Sequence, residues 1–196
     1  MTQKQLKQIR EFSKKYYKKT DQFHDLSHIE FVLRNAKKLA KQFKNVKWRV
    51  LEASCYLHDI GRMVKDEEHP AESVKIATPF MKKIKISKKE IDEINHAIIS
   101  HRKDKILESK TLEAKLLFDA DKLEILSVYG FLRVWAFLIE RRKMKMNQAM
   151  DFLWEWVRSV KTEHLQTNQA KRIVNQQFKV LKKIIFQFKN WQEIKE

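Results

Sequence analysis

The amino-acid sequence predicts an all-α protein, and two features of its composition indicate this fold class. The 196 residues include only 2 glycines and 2 prolines, whereas the hairpins and phosphate-binding loops of sheet proteins need glycine for positive φ angles. Apolar residues make up 43% of the chain and recur at the spacing of a helix face over most of its length. We therefore expect a single multi-helix domain that covers residues 1–196 around a buried core.

The first hundred residues predict five helices. The apolar spacing indicates helices over residues 3–19, 26–43 and 47–60. The third is apolar on nearly all sides, which predicts a central helix that ends in a left-handed cap at Gly61. Residues 62–68 are polar and predict a loop, after which a helix follows Pro70 and can kink at Pro79. A capping-box pattern at Ser87 opens the next helix, which continues to about residue 100.

The second half of the chain predicts fewer but longer elements. Residues 102–110 are expected to form a charged loop. A long helix then runs from about Leu112 toward Arg141 and can bend near Gly130. Two further helices fill residues 147–161 and 168–191.

Charge and cysteine usage restrict the partners and the compartment. Lys and Arg exceed Asp and Glu by 42 to 25, so the formal net charge is +17, which suits an anionic partner. Cys55 is the only cysteine and lies in an apolar run, so we expect a buried thiol and no internal disulfide. The sequence contains neither an apolar leader nor a run of about 18 apolar residues. We therefore expect a cytoplasmic protein that has no membrane partner.

Several histidines and aspartates stand on helix faces that should be apolar. Asp121 interrupts a stripe that includes Leu117 and Ile125, and an unpaired carboxylate there would be costly. Asp119 is less demanding because Lys115 lies one turn before it. His58 stands on the most apolar helix, and His28 lies beside an apolar stripe on an earlier one. Imidazoles combined with carboxylates suit Mn²⁺, Fe²⁺ or Co²⁺, and also admit Mg²⁺.

The order of these residues resembles the motifs of the HD-domain metal-dependent phosphohydrolases. The matching segments are 24–28 (HDLSH), 57–62 (LHDIGR), 69–73 (HPAES), 97–102 (AIISHR), 111–115 (TLEAK) and 119–124 (DADKLE). The resemblance covers residues 24–133 well, and the helices within 147–191 would pack on that core. Glu124 replaces a usual aspartate and Ser127 stands where glycine is common, so these two departures bear on specificity more than on metal binding.

The resemblance implies an HD-domain helical bundle and a role for each motif residue. The implied metal ligands are His28, His58, Asp59 and Asp121, with Asp119 as the alternative to Asp121. The implied catalytic residues are Asp59, His69 and His101, and the last two can also hold a second metal. The implied contacts with substrate phosphate are Lys122, Arg62, Arg102 and Arg133. The remaining histidines, His24, His96 and His164, are expected to be structural, and Asp25 is expected to orient a ligand imidazole.

Two functions follow as expectations. The first is a metal-dependent phosphohydrolase, monomeric or homodimeric, that acts on a nucleotide or a related phosphate ester or anhydride. Its cofactor would be one divalent ion, Mn, Fe, Co, Ni or Mg, which lowers the pKa of the attacking water. The second is a basic helical module that binds nucleic acid or has a regulatory role and keeps a metal site without catalysis. The excess of basic residues favours this second reading.

Overall fold

The structure is a computed structural model, and it describes residues 1–18, 23, 25–102, 109–160 and 164–193. Within these ranges the chain forms helices and no strand, which confirms the all-α prediction. The chain divides into two compact units, Met1–Asp121 and Lys122–Glu196. One domain over residues 1–196 stays a prediction. No helix in the described part of the chain combines the length and the apolar content that crossing a bilayer demands.

The first unit is built around one central helix. Its helices are α1 (Gln3–Tyr17), α2 (Leu26–Ala40), α3 (Trp48–Leu57), α4 (His69–Lys83), α5 (Lys88–Ile99) and the larger part of α6 (Leu112–Ile125). Helix α3 packs against α1, α2, α4 and α5, and Leu51, Cys55 and Leu57 on it are fully buried. This placement confirms the central helix and the buried thiol. A residue far along the sequence stabilises the N-terminus of α3. The buried Glu113 side chain accepts a hydrogen bond from the backbone N–H of Lys47 at 2.7 Å.

The left-handed cap expected at Gly61 is wrong. Helix α3 already ends at Leu57, Gly61 lies in a short 3-10 helix (Ile60–Met63), and neither glycine of the chain has a positive φ angle. Gly61 is required here for close packing, since a Cβ atom would clash with the carbonyl oxygen of His69 and lie 2.5 Å from the backbone nitrogen of Ser73. The Ser73 hydroxyl accepts from the Gly61 N–H at 2.9 Å and donates to the His58 carbonyl at 2.8 Å. The turn after α3 is therefore held against the first turns of α4.

Helices α4 and α5 follow the expected pattern with small shifts. Helix α4 begins at His69, whereas the helix was expected to follow Pro70, so Pro70 lies in its first turn. It continues through Pro79 to Lys83. Ser87 is the N-cap of α5, where its hydroxyl accepts from the Glu90 N–H, so the helix start predicted at Ser87 is confirmed. The Glu90 carboxylate accepts from the Ser87 hydroxyl.

The second unit contains α7 (Val128–Glu140), α8 (Met146–Ser159) and α9 (Asn168–Glu193), and α7 packs against both of the others. The single helix expected over residues 112–141 is wrong, because the chain breaks at residues 126–127 between α6 and α7. Ser127 causes the break by capping α7. Its hydroxyl accepts from the Gly130 N–H at 3.0 Å and donates to the Glu124 carbonyl at 2.6 Å. Gly130 has no room for a Cβ atom against that same Glu124 carbonyl.

Candidate metal centre

Separate segments of the first unit bring imidazoles and carboxylates to one place. His28 lies in the first turn of α2, His58 and Asp59 directly follow α3, His69 begins α4, and His101 follows α5. None of these five side chains belongs to a residue that is more than 5% exposed. Each position depends on where its helix begins or ends, so the ends of the helices build the cluster.

Asp59 is the centre of the cluster. Its Oδ2 atom lies 3.7 Å from the Nε2 atoms of both His28 and His58. Its Oδ1 atom lies 3.2 Å from Nε2 of His69 and 3.7 Å from Nε2 of His101. His28, His58 and Asp59 form one group, and Asp59, His69 and His101 form a second. Within each group, the atoms that could bind a metal all lie within 4.8 Å of one another. The Asp59 carboxylate is therefore shared by both groups of histidines.

Helix α6 adds a second carboxylate. Asp121 Oδ1 lies 3.6 Å from Nε2 of His28, and the Asp121 side chain is 15% exposed. Asp119 is the more deeply buried of the two aspartates, contrary to the expectation that Asp121 would occupy the more demanding position. The contact with His28 favours Asp121 as the ligand from this helix.

Backbone carbonyls orient three of the imidazoles in the same way. The Nδ1 atoms of His58, His69 and His101 lie 2.9, 2.6 and 2.5 Å from the carbonyl oxygens three residues earlier. Because a carbonyl only accepts hydrogen bonds, the ring proton in each case is on Nδ1, which donates it. The Nε2 lone pairs of all three rings are thus directed toward Asp59, as in the ligating tautomer of histidine.

Burial and charge set the protonation of the cluster. Burial lowers the pKa of His58 and lowers that of His101 further, and the nearby His58 ring adds to the effect on His101. Burial alone would raise the pKa of Asp59, but Arg62 and the rings of His58 and His69 hold it well below its usual range. The cluster therefore combines neutral rings at His58 and His101 with an ionised Asp59 carboxylate, and a metal ligand must be deprotonated in this way.

These side chains fit a divalent cation. Within the described part of the chain, Nε2 of His58 and Oδ1 of Asp59 are buried and make no hydrogen bond. The Nε2 atoms of His69 and His101 lie 3.1 Å apart although both rings already carry their proton on Nδ1. Burying such acceptors without a proton or a cation between them is costly. Imidazole nitrogens with carboxylate oxygens and no thiolate suit Mn²⁺, Fe²⁺, Co²⁺ or Ni²⁺.

A comparison with protein families matches the chain to the HD domain over residues 25–126, which is just over half of its length. The chain belongs to the HD domain family. No curated protein matches the sequence.

Solved structures share the fold of this HD domain over nearly its whole length. A protein from Lactobacillus plantarum is 20% identical, with a TM-score of 0.79 and coverage of 98% of this chain and 99% of that chain. Bacillus subtilis YpgQ, solved in complex with ADP, is 21% identical, with a TM-score of 0.74 and coverage of 95% and 94%. An HD-superfamily hydrolase from Bacillus thuringiensis is 22% identical, with a TM-score of 0.72 and coverage of 97% and 98%.

The three arginines that the resemblance assigned to phosphate have acceptors within this HD domain protein. Arg62 donates to Asp59 and Asp66, and Arg102 donates to the carbonyl of Glu67. In the second unit, Arg133 donates to both oxygens of the buried Glu124 at 2.9 and 2.7 Å. Lys122 follows Asp121 in α6 and is partly exposed. The phosphate-binding role of each of these cations stays a prediction.

The structure gives the surroundings of some of the other histidines, and one of them lies outside the described residues. His24 and residues 103–108 of the expected charged loop lie outside them. His96 accepts a hydrogen bond from the Lys110 N–H at 3.1 Å through its ring Nε2. His164 lies in the second unit. Asp25 caps α2 by accepting from the Ser27 N–H at 2.8 Å, and its role in orienting a ligand imidazole stays a prediction.

Two supporting residues had no role in the sequence interpretation although both lie in matching HD motifs. Ser73 of segment 69–73 holds the turn that carries His58, and Glu113 of segment 111–115 holds the start of α3. Their motif positions were a usable signal. Their partners are far along the chain, however, so spacing alone does not identify them.

Proposed function

We propose that this HD domain protein is a divalent-metal-dependent phosphohydrolase that acts on a nucleotide or a related phosphate ester or anhydride. The observation that carries the proposal is the convergence of four histidine Nε2 atoms on the buried Asp59 carboxylate. Family membership supports the reaction class, as do two structural neighbours described as HD superfamily hydrolases. The ADP complex of YpgQ supports a nucleotide as the substrate class.

The metal ligands in this proposal are His28, His58, Asp59 and Asp121. When bound, a divalent cation polarises a phosphoryl oxygen and lowers the pKa of a water molecule toward neutrality. The two aspartates balance the charge of the cation, and the two histidines bind it as neutral imidazoles. The Nδ1 bond of His58 to the Cys55 carbonyl holds its ring in place at 2.9 Å. Because Asp59 is already ionised and the His58 ring is already neutral and oriented, little reorganisation of these two groups accompanies binding.

His69 and His101 are proposed to handle a proton or to ligate a second cation. Both rings donate from Nδ1 to carbonyls, so adding a proton to Nε2 of either ring makes that ring an imidazolium. The protonated Nε2 can then donate a hydrogen bond to Nε2 of the other ring, 3.1 Å away. The Asp59 Oδ1 atom, 3.2 Å from His69, stabilises this charge. With one metal bound, this pair would accept the proton that the attacking water releases and would pass it to the departing phosphate oxygen as its bond to phosphorus breaks. With two metals bound, the same nitrogens are ligands.

Of the cations assigned to phosphate, Lys122 and Arg102 are retained in this proposal. Arg133 is not retained, because both oxygens of the buried Glu124 already balance its charge within the second unit. Lys122 directly follows Asp121 and Arg102 directly follows His101 in the sequence, so both remain candidates to balance the charge of a phosphate group.

The proposal is tested by stripping the purified protein of metal, reloading it with Mn²⁺ and incubating it with p-nitrophenyl phosphate esters and a pool of nucleotides. Products are read by mass spectrometry. We expect turnover that is lost in both Asp59→Ala and His58→Ala while circular dichroism shows that the fold is retained. His164→Ala, in the second unit, is the matched control and keeps activity. Turnover that persists in both cluster variants would refute the proposal.

The net charge of +17 favours a second candidate, a nucleic-acid-binding or regulatory module. This candidate predicts tight binding to RNA or DNA that weakens steeply with salt and is indifferent to Asp59→Ala and His58→Ala. It also predicts no turnover in the metal-loaded protein. The two candidates are therefore separated by the same set of variants.

A further inference from the structure

Arg62 links two carboxylates at the edge of the cluster. Its Nε atom donates to Asp59 Oδ2 at 2.6 Å, and its Nη1 atom donates to Asp66 Oδ1 at 2.5 Å. The Asp59 side chain is 3% exposed and that of Arg62 is 25% exposed. Both contacts are charge-assisted hydrogen bonds, which are shorter and stronger than neutral ones. The guanidinium is thus committed to two partners that belong to this chain.

The contacts of Arg62 form a closed ring that includes a second cluster residue. Asp66, which holds one end of the guanidinium, also accepts through its backbone carbonyl from Nδ1 of His69 at 2.6 Å. The His69 ring then returns to the starting carboxylate, because its Nε2 atom lies 3.2 Å from Asp59 Oδ1. The ring therefore runs from Asp59 through Arg62 and Asp66 to His69 and back to Asp59.

This ring fixes the Asp59 carboxylate in a particular way. A directional donor on Oδ2 restricts rotation of the carboxylate plane, and Oδ1 then remains directed toward His69 and His101. A lysine in place of Arg62 would have one nitrogen, whereas the two contacts use two different nitrogens of a planar fork. Geometry as well as charge therefore requires arginine at this position.

We propose that Arg62 is a positioning residue that orients Asp59 and, through Asp66, His69 for the cation, and that it does not bind substrate phosphate. This inference rests on the proposed function, since it assumes that Asp59 ligates a metal. It assigns Arg62 a role different from the phosphate contact that the family resemblance implied.

The test measures binding of Mn²⁺ alone to the metal-stripped full chain by isothermal titration calorimetry. We expect Arg62→Gln to weaken Mn²⁺ binding by about 10-fold to 100-fold, the usual effect of losing a residue that orients a ligand. Arg62→Lys should not restore the affinity, and Asp66→Asn should weaken it less than Arg62→Gln. The matched control is Lys65→Gln, because Lys65 lies in the same segment and pairs with Glu68. It should bind Mn²⁺ like the unmodified protein.

A second measurement separates positioning from phosphate binding. Inorganic phosphate is titrated into the Mn²⁺-saturated variants, and we expect Arg62→Gln to keep the phosphate affinity within about twofold. Normal Mn²⁺ affinity combined with a loss of phosphate affinity would overturn the inference. Melting temperature and circular dichroism identify variants that fold, and Asp66→Asn and Arg62→Lys carry the test if Arg62→Gln does not.

Asp59→Asn distinguishes failure of this inference from failure of the proposed function. If Asp59→Asn loses Mn²⁺ binding but Arg62→Gln and Arg62→Lys do not, the positioning role is refuted and the metal site stands. If Asp59→Asn itself binds Mn²⁺ normally, the metal site is refuted and the role of Arg62 falls with it.

Discussion

At the residue scale, the arrangement of the cluster depends on one buried side chain, that of Asp59. Its two oxygens contact four imidazoles and one guanidinium. The family resemblance identified Asp59 and the histidines as site residues from their motifs. It did not predict that Asp59 pairs with Arg62, because that partner depends on how the 3-10 helix places the guanidinium after α3 ends.

The buried histidines predict how the stability of the metal-free protein depends on pH. The pKa values of His58 and His101 are lowered in the folded state by burial. The unfolded chain therefore binds more protons than the folded chain as the pH falls. The free energy of unfolding should therefore decrease as pH falls below about 6.5, by up to about 1.4 kcal/mol per pH unit for each histidine. Urea denaturation in EDTA at about pH 7.5 and about pH 5.5 measures the slope.

Replacing one of these histidines checks that assignment. His101→Gln cannot titrate and should give a shallower slope than the unmodified protein. An unchanged slope in His101→Gln would contradict the assignment.

At the scale of helices, the connections between helices were harder to predict from the sequence than the helices themselves. Apolar periodicity predicted most helices well, because it reports which face of a segment is buried. It missed the break between α6 and α7, since the cap supplied by Ser127 interrupts the helix without interrupting the apolar pattern. The prediction of a left-handed cap at Gly61 was also wrong. The close approach of α4 to that glycine is a tertiary contact, which leaves no signal in the local sequence.

Ser73 connects the turn after α3 to α4, and its removal should affect both stability and metal binding. Ser73→Ala leaves the Gly61 N–H and the His58 carbonyl without their buried partner, which should cost about 1–3 kcal/mol in the free energy of unfolding. It should also weaken Mn²⁺ binding, because it releases the turn that carries His58. Ser87→Ala, which removes the exposed cap of α5, should reduce stability and leave Mn²⁺ affinity unchanged. Equal Mn²⁺ affinity in the two variants would argue against the link.

The pair of Glu124 and Arg133 connects α7 to the residues before it in the second unit. Arg133→Met leaves a fully buried carboxylate without its guanidinium and should lower the free energy of unfolding by about 3–5 kcal/mol. The double variant Glu124→Gln/Arg133→Met should recover a large part of that loss, as thermal denaturation would show. A double variant that is as unstable as Arg133→Met alone would show that the pair does not account for the loss.

At the scale of the whole molecule, the net charge of +17 was a weaker guide than the motif order. Excess charge reports on association and solubility, whereas the motifs report on a site. The positions of the cluster residues along the chain were predictable because the family resemblance supplies them as candidate ligands. The three-dimensional grouping around one carboxylate was not, since it depends on the ends of separate helices meeting at one point.

Metal binding should stabilise the molecule as a whole. A ligand that binds only the folded state adds about 2.7 kcal/mol to the free energy of unfolding at about a hundredfold excess over its Kd. The melting temperature should therefore rise with Mn²⁺ concentration and fall again when EDTA removes the metal. Asp59→Asn should abolish the rise and Lys65→Gln should keep it. A rise of the same size in Asp59→Asn would place the stabilising ion elsewhere.

The division of the Asp59 carboxylate between two groups of imidazoles has a thermodynamic consequence. An ion bound by His28 and His58 would withdraw electron density from the same carboxylate that faces His69 and His101. Occupancy of the first position would therefore change the proton affinity of the second, and linkage would require the reverse effect to be equally large. Titrating one position while the other is filled would measure this coupling directly.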